Sequence, residues 1–412
     1  MRILVEAYGC TMNRGEAEEF TRAFIEKGHA PALTEQDADA CAIFTCGVIE
    51  TTERHMLKRI KEISGNKKRL LLVCGCLVTI CPEKILRIAP HAKLIGPARQ
   101  LEGMGFLETA PSSKKAQMRS SVGILPVATG CAGSCTYCIT KVARGRLCSR
   151  PPAMIFQRLE SLVARGAAEV QLCAQDTAIY GRDMGLDLAA LVEKLSSAGG
   201  DFMMRIGMMN PANVMADLGP ILRAFQSQKV FKFLHLPVQS GSDAVLERMG
   251  RRHTASDFRA IVSAFRERFP GMALSTDIIV GFPGETDGDF TESMELMRET
   301  KPDIINVTRF SPRPGTQAHS MEPKIHGRTA KERSRAMAEL RFELTRGNYR
   351  EMIGRTVRAL ATERRVEGTA FLRTPEYRPV VVDAEVDMGQ WYDIRVKSAE
   401  KTHLRGTLEN VK

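Results

Sequence analysis

Short apolar segments of strand length alternate with amphipathic segments of helix length through most of the chain. Within residues 1–109, the predicted strands Arg2–Ala7, Ala42–Thr45 and Leu70–Val73 are each followed by a segment with a helical pattern. Short strands separated by helices are typical of a parallel sheet, because a parallel connection needs a crossover of helix length. The sequence therefore predicts an α/β fold that begins with an N-terminal parallel α/β domain over residues 1–109.

The same alternation resumes at residue 122 and changes character near residue 348. Residues 122–347 contain further candidate strands with helices between them, which predicts a full or partial (β/α) barrel with its active site at the carboxyl ends of the strands. Residues 110–121 lack periodicity and predict a linker. Residues 348–412 form short strand-like segments between turns, which predicts a small antiparallel β-barrel.

Charge and hydropathy are compatible with a nucleic-acid partner and argue against a membrane-spanning protein. The 412 residues carry a net charge of +11, and a basic surface attracts polyanions such as nucleic acid, although a soluble basic protein without such a partner would have the same balance. The longest apolar runs, such as Leu70–Val73, are far too short to cross a bilayer. Met1-Arg2 leads directly into a strand-like segment without a charged leader, so we expect a soluble cytoplasmic protein.

Three cysteines lie together in one short segment. Cys131, Cys135 and Cys138 have the spacing CxxxCxxC, and three thiolates from one loop can hold three irons of a cubane cluster while the fourth iron stays open. A structural zinc site would need a fourth ligand, for which Cys148, ten residues on, is the only nearby candidate. In a reducing compartment, grouped cysteines among the 11 of this chain indicate metal binding or catalysis rather than disulfides.

The segment around these cysteines resembles a known family. Thr129–Arg146 is similar to the cluster loop of the methylthiotransferases, within the radical S-adenosylmethionine (SAM) superfamily. The resemblance implies a [4Fe-4S] cluster on these three thiols, whose open iron chelates SAM and delivers the electron that cleaves it to a 5′-deoxyadenosyl radical. In such enzymes the cofactor carries the difficult chemistry, and the protein supplies position and seclusion.

A second group of three cysteines is dispersed in the sequence. Cys10, Cys46 and Cys76 each lie just past a predicted strand of the first domain. The carboxyl ends of parallel strands share one edge of a sheet, where ligands collect, so the fold is expected to bring these thiols together. Cys74 competes with Cys76 for the third position, and Cys76 is chosen because it lies farther toward the loop and matches the family pattern.

The surroundings of the dispersed cysteines also resemble the methylthiotransferases. The similar segments are Tyr8–Asn13, Phe44–Cys46 and Cys74–Leu77. The resemblance implies an auxiliary [4Fe-4S] cluster on Cys10, Cys46 and Cys76 that presents or supplies the sulfur. Phe44 stands where the family usually has Asn, and Thr11 where it commonly has Gln, but neither departure removes a ligand.

The resemblance extends to residues expected around SAM, while no catalytic side chain is assigned. The expected cofactor contacts are Tyr137, Gln175, Arg205, Gln239 and Gly281. Tyr137 is expected at the adenine, and glycines such as Gly281 would let the backbone approach the adenosine. Arg205 lies in a predicted barrel strand, where a charged group needs a partner, either the SAM carboxylate or a structural Asp.

The C-terminal segment and the cluster loop point to an RNA substrate. Residues 348–412 resemble a TRAM domain, which is a small RNA-binding module, and Ile139–Arg146 resembles most the methylthiotransferases of archaea and eukaryotes. That branch acts on N6-threonylcarbamoyladenosine at tRNA position 37. The resemblance thus implies a monomeric tRNA methylthiotransferase with two [4Fe-4S] clusters and SAM, which binds the anticodon loop and takes electrons from an unidentified donor. The target base must be unstacked, as is common in RNA recognition.

Three other functions are compatible with the sequence. A ribosomal-protein aspartate methylthiotransferase would modify a protein and bind tRNA weakly. A cluster-bearing RNA-binding redox sensor without turnover would bind tRNA and never consume SAM. A zinc-stabilised RNA-binding protein would contain no iron when purified without oxygen.

Overall fold

A computed structural model describes residues 1–97, 121–366 and 368–409. The linker predicted at 110–121 lies outside the described residues except for Ser121, as does the predicted domain boundary at 109/110. No helix of the described part is both long enough and apolar enough to cross a membrane.

The N-terminal domain is a parallel five-stranded sheet with helices on its faces, which confirms the predicted α/β architecture. The strand order is β2-β1-β3-β4-β5. The strands are β1 Arg2–Ala7, β2 Ala30–Pro31, β3 Ala40–Thr45, β4 Leu70–Gly75 and β5 Lys93–Ile95. The helices are Thr11–Glu26, Glu50–Ile63, Cys76–Ile80 and Pro82–Ile88. Every residue of β3 is buried, as expected for a parallel strand covered on both faces.

Six parallel strands in two sheets form the partial (β/α) barrel that the sequence predicts. The sheet orders are β10-β9-β6 and β11-β12-β13, and a backbone bridge between Met204 and Val230 joins them. These strands are β6 Val122–Pro126, β9 Glu169–Cys173, β10 Met203–Ile206, β11 Phe233–His235, β12 Ala273–Val280 and β13 Ile304–Arg309. A short antiparallel pair, β7 Ala128–Thr129 and β8 Cys148–Ser149, precedes and follows the cysteine loop.

Helices pack on the outside of the partial barrel around one continuous core. The helices that contribute to this core are Pro152–Ala164, Leu188–Ser196, Pro211–Ala216, Leu218–Ala224, Ala255–Arg268, Asp287–Thr300 and Gly327–Arg350. Two further helices of this domain are Ile139–Arg144 and Asp243–Arg248. Thr254 and Thr286 begin two of the core helices with capping boxes, in which the hydroxyl accepts from the third amide of the helix. An aspartate at that third position accepts in return from the capping residue's own amide, which fixes where each helix begins.

The C-terminal domain is a closed five-stranded barrel with the order β14-β15-β16-β18-β17. Its strands are β14 Thr356–Val366, β15 Thr369–Arg373, β16 Pro379–Val382, β17 Trp391–Ala399 and β18 Leu404–Leu408. Closure confirms the predicted small barrel, although one pair, β16 with β18, is parallel. The helix Gly327–Arg350 leads into it, so the boundary predicted at 347/348 falls within the last turn of that helix.

Tyr377 of the C-terminal barrel closes one end of the partial barrel. It has a left-handed backbone (φ 72°), and its ring lies 4.9 Å from both Phe231 and Phe233. Its hydroxyl donates to Glu169, the first residue of β9. Tyr377 therefore closes the end of the partial barrel at which its strands begin, and the carboxyl ends of the strands remain available for a site.

Candidate functional site

The loop triad, defined as Cys131, Cys135 and Cys138, lies between β7 and the helix Ile139–Arg144. All three thiols are half-buried. Gly130 begins the loop with a φ of 77°, and a Cβ there would lie 1.9 Å from the carbonyl oxygen of Arg146, so the turn requires glycine. The Gly133 amide donates to Cys131 Sγ at 3.2 Å, which curls the loop around its own sulfur.

Arg251 brings a positive charge to the loop triad. Its Nη1 donates to Cys135 Sγ at 3.6 Å, and its Nη2 donates to the carbonyl oxygen of Pro237 at 2.5 Å. Burial raises the pKa of the Cys131 thiol, and the Gly133 amide partly offsets this rise. A neighbouring guanidinium favours the thiolate form that binds iron. Sequence reasoning missed Arg251, whose only local signal is its position after the turn glycine Gly250.

The strand-end triad, defined as Cys10, Cys46 and Cys76, gathers at the carboxyl edge of the N-terminal sheet. A Cβ on Gly9 would lie 2.5 Å from Cys46 Cβ and 3.0 Å from its Sγ, so the Cys10 segment abuts Cys46. Burial raises the pKa of Cys46, and it raises that of Cys76 to about 11. The nearby Cys10 adds to both rises, which places all three thiols within electrostatic reach of one another.

The structure separates Cys76 from its competitor Cys74. Cys74 is fully buried in a core cluster with Phe44 and Leu72, and burial raises the pKa of its thiol. Cys76 is the first residue of the helix Cys76–Ile80, and the charge of Arg144 acts on its thiol. The geometry therefore favours Cys76 as the third member of the triad.

Segments next to the two triads are in contact. The helix Cys76–Ile80 packs on the helix Ile139–Arg144, which begins directly after Cys138. No three Cys, His, Asp or Glu side chains of the described residues could share one metal ion. The thiolates of a cubane bind separate irons and lie farther apart than the ligands of one ion. Two sets of three thiols match in number the ligands of two clusters with one open iron each.

Three of the residues expected around SAM have distinctive environments: Tyr137 lies within the cysteine loop, Gln175 has an unsatisfied atom, and Gln239 has a positive φ. Tyr137 lies edge-on to Phe282 at 6.1 Å, and burial raises the pKa of its hydroxyl. Gln175 has a buried Oε1 with no hydrogen-bond partner among the described residues. Gln239 has a φ of 78°, which is uncommon for a residue with a side chain and is characteristic of binding sites. These features fit a polar cofactor, and the contacts themselves remain predictions.

Arg205 and Gly281 have structural environments that the sequence did not suggest. The Arg205 guanidinium lies over the rings of Phe233 and Tyr377, at 5.1 and 5.3 Å, so its observed neighbours are aromatic rather than an Asp. A Cβ on Gly281 would lie 2.7 Å from Ala330 Cβ, so the helix Gly327–Arg350 already explains this glycine. A SAM contact of either residue stays a prediction.

A polar cluster inside the partial barrel completes the site. Asp277 Oδ1 accepts from Asn306 Nδ2 at 2.7 Å and lies 3.3 Å from His235 Nε2. Burial raises the pKa of Asp277, but these hydrogen bonds outweigh it and hold the pKa below its usual value. Asp176 is buried and accepts from Asn213 at 2.7 Å. His235 and Asp277 lie in segments that the resemblance had marked, whereas Asn306 had no local signal.

Comparisons with known proteins cover all three domains. Residues 2–96 match a family described as Uncharacterized protein family UPF0004, residues 125–297 match the Radical SAM superfamily, and residues 350–408 match the TRAM domain. A probable threonylcarbamoyladenosine tRNA methylthiotransferase of Methanothermobacter thermautotrophicus is 38% identical over 98% of this chain and 99% of its own. A protein with the same description from Pyrococcus horikoshii is 35% identical over 99% of both chains.

A eukaryotic relative and two solved structures extend the comparison. The threonylcarbamoyladenosine tRNA methylthiotransferase of Xenopus laevis is 30% identical over 98% of this chain and 76% of its own. The radical S-adenosylmethionine methyltransferase TsrM from Kitasatospora setae, solved with cobalamin and a [4Fe-4S] cluster, superposes with a TM-score of 0.57 at 13% identity over 77% of this chain and 76% of that chain. The cobalamin-dependent S-adenosylmethionine radical enzyme OxsB superposes with a TM-score of 0.53 at 11% identity, over 82% of this chain and 55% of that chain. At these identities the superpositions establish the fold alone.

Proposed function

The chain belongs to the radical SAM methylthiotransferases, in the family of threonylcarbamoyladenosine tRNA methylthiotransferases, and on this premise we propose that it converts N6-threonylcarbamoyladenosine at position 37 of tRNA to its 2-methylthio derivative. The observation that carries this proposal is the presence of two thiol triads on contacting segments, one on a radical SAM loop and one on the sheet edge. A methylthiotransferase needs one cluster for SAM and another for sulfur, and the chain provides a ligand set for each.

Each ligand set has its own supporting residues. Cys131, Cys135 and Cys138 would hold the SAM-binding cluster, and Cys10, Cys46 and Cys76 the auxiliary cluster. When bound, these clusters supply the electron that cleaves SAM and the sulfur that is transferred. Arg251 donates to a ligand sulfur of the first set. The unsatisfied Gln175 Oε1 offers SAM a buried acceptor beside that set.

The protein also secludes the reaction. Tyr377 and the phenylalanines it packs on close the amino end of the partial barrel, and the N-terminal domain contributes Met12, whose sulfur lies 3.7 Å from that of Cys173 on β9. A radical site has to exclude competing hydrogen-atom donors with weak C–H or S–H bonds, because these would consume the intermediate. His235, Asp277 and Asn306 form a polar patch for a base in the partial barrel.

A groove between the helix Gly327–Arg350 and the C-terminal barrel provides the RNA path that we propose. It has a volume of about 630 Å³, and its basic lining residues are Arg341, Arg373, Lys401 and His403. Phe371 also lines the groove, and the Arg373 guanidinium lies over its ring at 4.7 Å, so an aromatic ring and a positive charge occur together there. The lining also includes Asn306, whose amide donates to Asp277 inside the barrel, so the groove leads toward the polar cluster.

A lysine of the groove tests the RNA path. We expect Lys401→Gln to weaken tRNA binding and to reduce the slope of log Kd against log salt by about one, since one phosphate contact would be lost. Lys397→Gln, on an exposed position of β17, serves as the control in the same barrel. Equal effects of the two substitutions would show that the binding follows overall charge and that this groove is not the path.

The activity itself is tested by anaerobic incubation of reconstituted protein with SAM, a reductant and one of three substrates, followed by mass spectrometry. The substrates are a tRNA that carries threonylcarbamoyladenosine, the same tRNA without that modification, and a ribosomal protein with the aspartate that related enzymes modify. We expect a methylthio group in place of one hydrogen on the modified tRNA. A product only on the protein, or SAM left intact with every substrate, would refute the proposal.

We further propose the division into domains, the state of assembly and the location of the protein. The division is residues 1–109 for the auxiliary-cluster domain, 110–121 for the linker, 122–347 for the radical SAM barrel and 348–412 for the RNA-binding barrel. The matched ranges 2–96, 125–297 and 350–408 fall inside three of these units. We propose a monomer that acts in the cytoplasm, where tRNA and reducing partners occur, and light scattering of the reconstituted protein tests the monomer.

A further inference from the structure

Arg144 joins the loop triad to the N-terminal domain. It is the last residue of the helix that starts after Cys138, and its side chain is only 1% exposed. Its Nη1 donates to Glu16 Oε1 at 2.6 Å, and its Nη2 donates to Glu16 Oε2 at 3.1 Å. Glu16 belongs to the helix Thr11–Glu26, for which Cys10 is the capping residue. One buried bidentate pair thus connects the helix behind one triad to the helix behind the other.

Asn13 extends this connection to two segments of the strand-end triad. Its Oδ1 accepts from Arg144 Nη2 at 2.8 Å. Its Nδ2 donates to the carbonyl oxygens of Tyr8 and Thr45, at 2.9 and 2.8 Å. Tyr8 lies two residues before Cys10, and Thr45 lies immediately before Cys46. A single fully buried amide therefore ties two cysteine segments to each other and to Arg144.

The third segment of the strand-end triad also faces Arg144. The helix that starts at Cys76 packs on the helix that ends at Arg144. Burial raises the pKa of Cys76, and the nearby charge of Arg144 acts in the opposite direction, so the guanidinium lies within electrostatic reach of this thiol. Arg144 thus contacts or is linked to all three cysteine segments of the N-terminal domain.

A second ion pair at the same interface provides a matched comparison. Arg150 donates to the two carboxylate oxygens of Glu19, at 2.6 and 2.9 Å, and is also largely buried. Glu19 lies one helical turn beyond Glu16 on the same helix, so this pair joins that helix to the segment after β8. Both pairs dock the two domains, and the Arg144 pair also reaches the Cys10 and Cys46 segments through Asn13.

We propose that Arg144 is a positioning residue that fixes the strand-end triad relative to the loop triad and places a positive charge beside the sulfur ligands of the auxiliary cluster. The proposal rests on the proposed function, because it assumes that each triad holds a cluster. The guanidinium fork is what allows one side chain to serve Glu16 and Asn13 at once. A lysine would keep the charge and lose the second contact.

The proposal predicts that substitution of Arg144 uncouples SAM cleavage from methylthio transfer. In Arg144→Lys we expect both clusters to load and 5′-deoxyadenosine to form, while methylthio transfer falls on the order of 100-fold, because misplacement of the reacting groups by about 1 Å has an effect of that size. In Arg144→Gln we also expect a more negative reduction potential for the auxiliary cluster, since loss of a nearby positive charge disfavours its reduced form.

The experiment compares Arg144→Lys and Arg144→Gln with Arg150→Lys in the full-length reconstituted protein. The readouts are iron content, the ratio of 5′-deoxyadenosine to methylthiolated nucleoside, the reduction potentials, and the magnetic coupling between the two reduced clusters. Arg150→Lys is expected to leave the ratio, the potentials and the coupling unchanged. The same values in the Arg144 and Arg150 variants would overturn the proposal, because both would then be ordinary docking contacts.

Asn13→Asp covers the case in which the Arg144 variants do not fold. The aspartate can still accept from Arg144 but cannot donate to the Tyr8 and Thr45 carbonyls, so it loosens the triad while the ion pair remains. We expect altered magnetic coupling and the same excess of 5′-deoxyadenosine, and unchanged values would overturn the proposal. If the native chain fails to methylthiolate tRNA, the proposed function fails, while the potentials and the coupling still decide the role of Arg144.

Discussion

The two thiol triads reach similar arrangements by opposite routes. The loop triad comes from eight consecutive residues, 131–138, and its thiols stay half-buried. The strand-end triad comes from the ends of β1, β3 and β4, which parallel pairing brings to one edge of the sheet. The first arrangement depends mainly on local backbone, whereas the second depends on the packing of a whole domain. Changes to the two triads should therefore have separable effects on chemistry and on stability.

The largest expected effect is a complete separation of the two activities by single cysteine substitutions. We expect Cys131→Ala to abolish 5′-deoxyadenosine formation, and Cys46→Ala to retain it while abolishing methylthio transfer. Each variant should lose about four of about eight irons per chain, since we propose one four-iron cluster for each triad. Product analysis and iron determination on anaerobic protein measure both quantities.

Cys41→Ala is the matched control for these substitutions. Cys41 is buried near the start of β3, at the opposite end of the strand from Cys46, within a core cluster. It should keep full iron content and both activities. Normal SAM cleavage by Cys131→Ala, or loss of SAM cleavage in Cys46→Ala, would contradict the division of roles between the triads.

The next largest effect concerns the glycines that precede the cysteines. Gly75 and Gly130 both have left-handed backbones, and a Cβ would lie 2.6 Å from the carbonyl oxygen of Thr45 in the first and 1.9 Å from that of Arg146 in the second. Substitution by Ala should cost about 1–3 kcal/mol of conformational strain at each position, in addition to the clash. We expect Gly75→Ala to lower the stability of the N-terminal domain, and Gly130→Ala to disturb mainly the loop cluster.

Denaturant unfolding and the electron paramagnetic resonance spectra of the clusters measure these two effects. Gly271→Ala controls for strain alone, because its φ is 82° and no described atom lies within 4 Å of the added Cβ. Equal losses of stability and of both cluster signals in Gly75→Ala and Gly130→Ala would argue against the contrast between a local and a domain-wide triad.

The smallest expected effect is a pH dependence of the unfolding free energy, which comes from His253 near Arg251, the residue that contacts the loop triad. Burial lowers the pKa of His253 to about 4, and the nearby Arg251 charge adds to this shift, against the smaller influence of Asp257 and the Val238 carbonyl. The imidazole is thus neutral in the folded chain, while the unfolded chain takes up a proton below about pH 6.5. The stabilisation that comes from the neutral His253 is complete above about pH 6.5 and is lost as the pH falls toward 4. At pH 5 the free energy of unfolding should be lower by about 2 kcal/mol.

Urea unfolding at about pH 5 and pH 7.5 measures this loss of unfolding free energy, and the His253→Gln variant serves as the comparison. The variant should lack this part of the pH dependence, because its amide does not titrate in that range. A native chain and a variant with parallel pH profiles would show that His253 is not the titrating group, and the two triads would then not differ in acid sensitivity.

Much of the fold followed from local pattern, because strands and helices have different apolar periods. The predicted strand Arg2–Ala7 has the same bounds in the structure, and the predicted strands Ala42–Thr45 and Leu70–Val73 lie within Ala40–Thr45 and Leu70–Gly75. The barrel was predicted to be antiparallel, and this was wrong for β16 and β18, which pair in parallel. Strand direction within a barrel depends on how the whole segment closes. The family membership predicted from the cysteine motifs is confirmed by relatives over nearly the whole chain.

The site was less predictable than the fold, and the misses have a common cause. Arg251 and Asn306 contact the loop triad and the polar cluster from turns and strands far away in sequence. The aromatic neighbour Tyr377 of Arg205 comes from another domain and was not foreseen, while the expected SAM contact of Arg205 stays a prediction. Long-range contacts of this kind have no periodic or motif signal in a single sequence.

The sequence by itself determined the loop triad, because covalent spacing alone puts three thiols on one short turn, and it determined the alternation of strand and helix that makes parallel sheets. Only the tertiary structure decided that Cys74, the competitor of Cys76, is buried in a core cluster, and that Arg144 joins the two triads. Which side of a strand end meets which helix depends on how complete domains pack against each other. That packing sums over many weak contacts between residues distant in the chain, and no short segment encodes it.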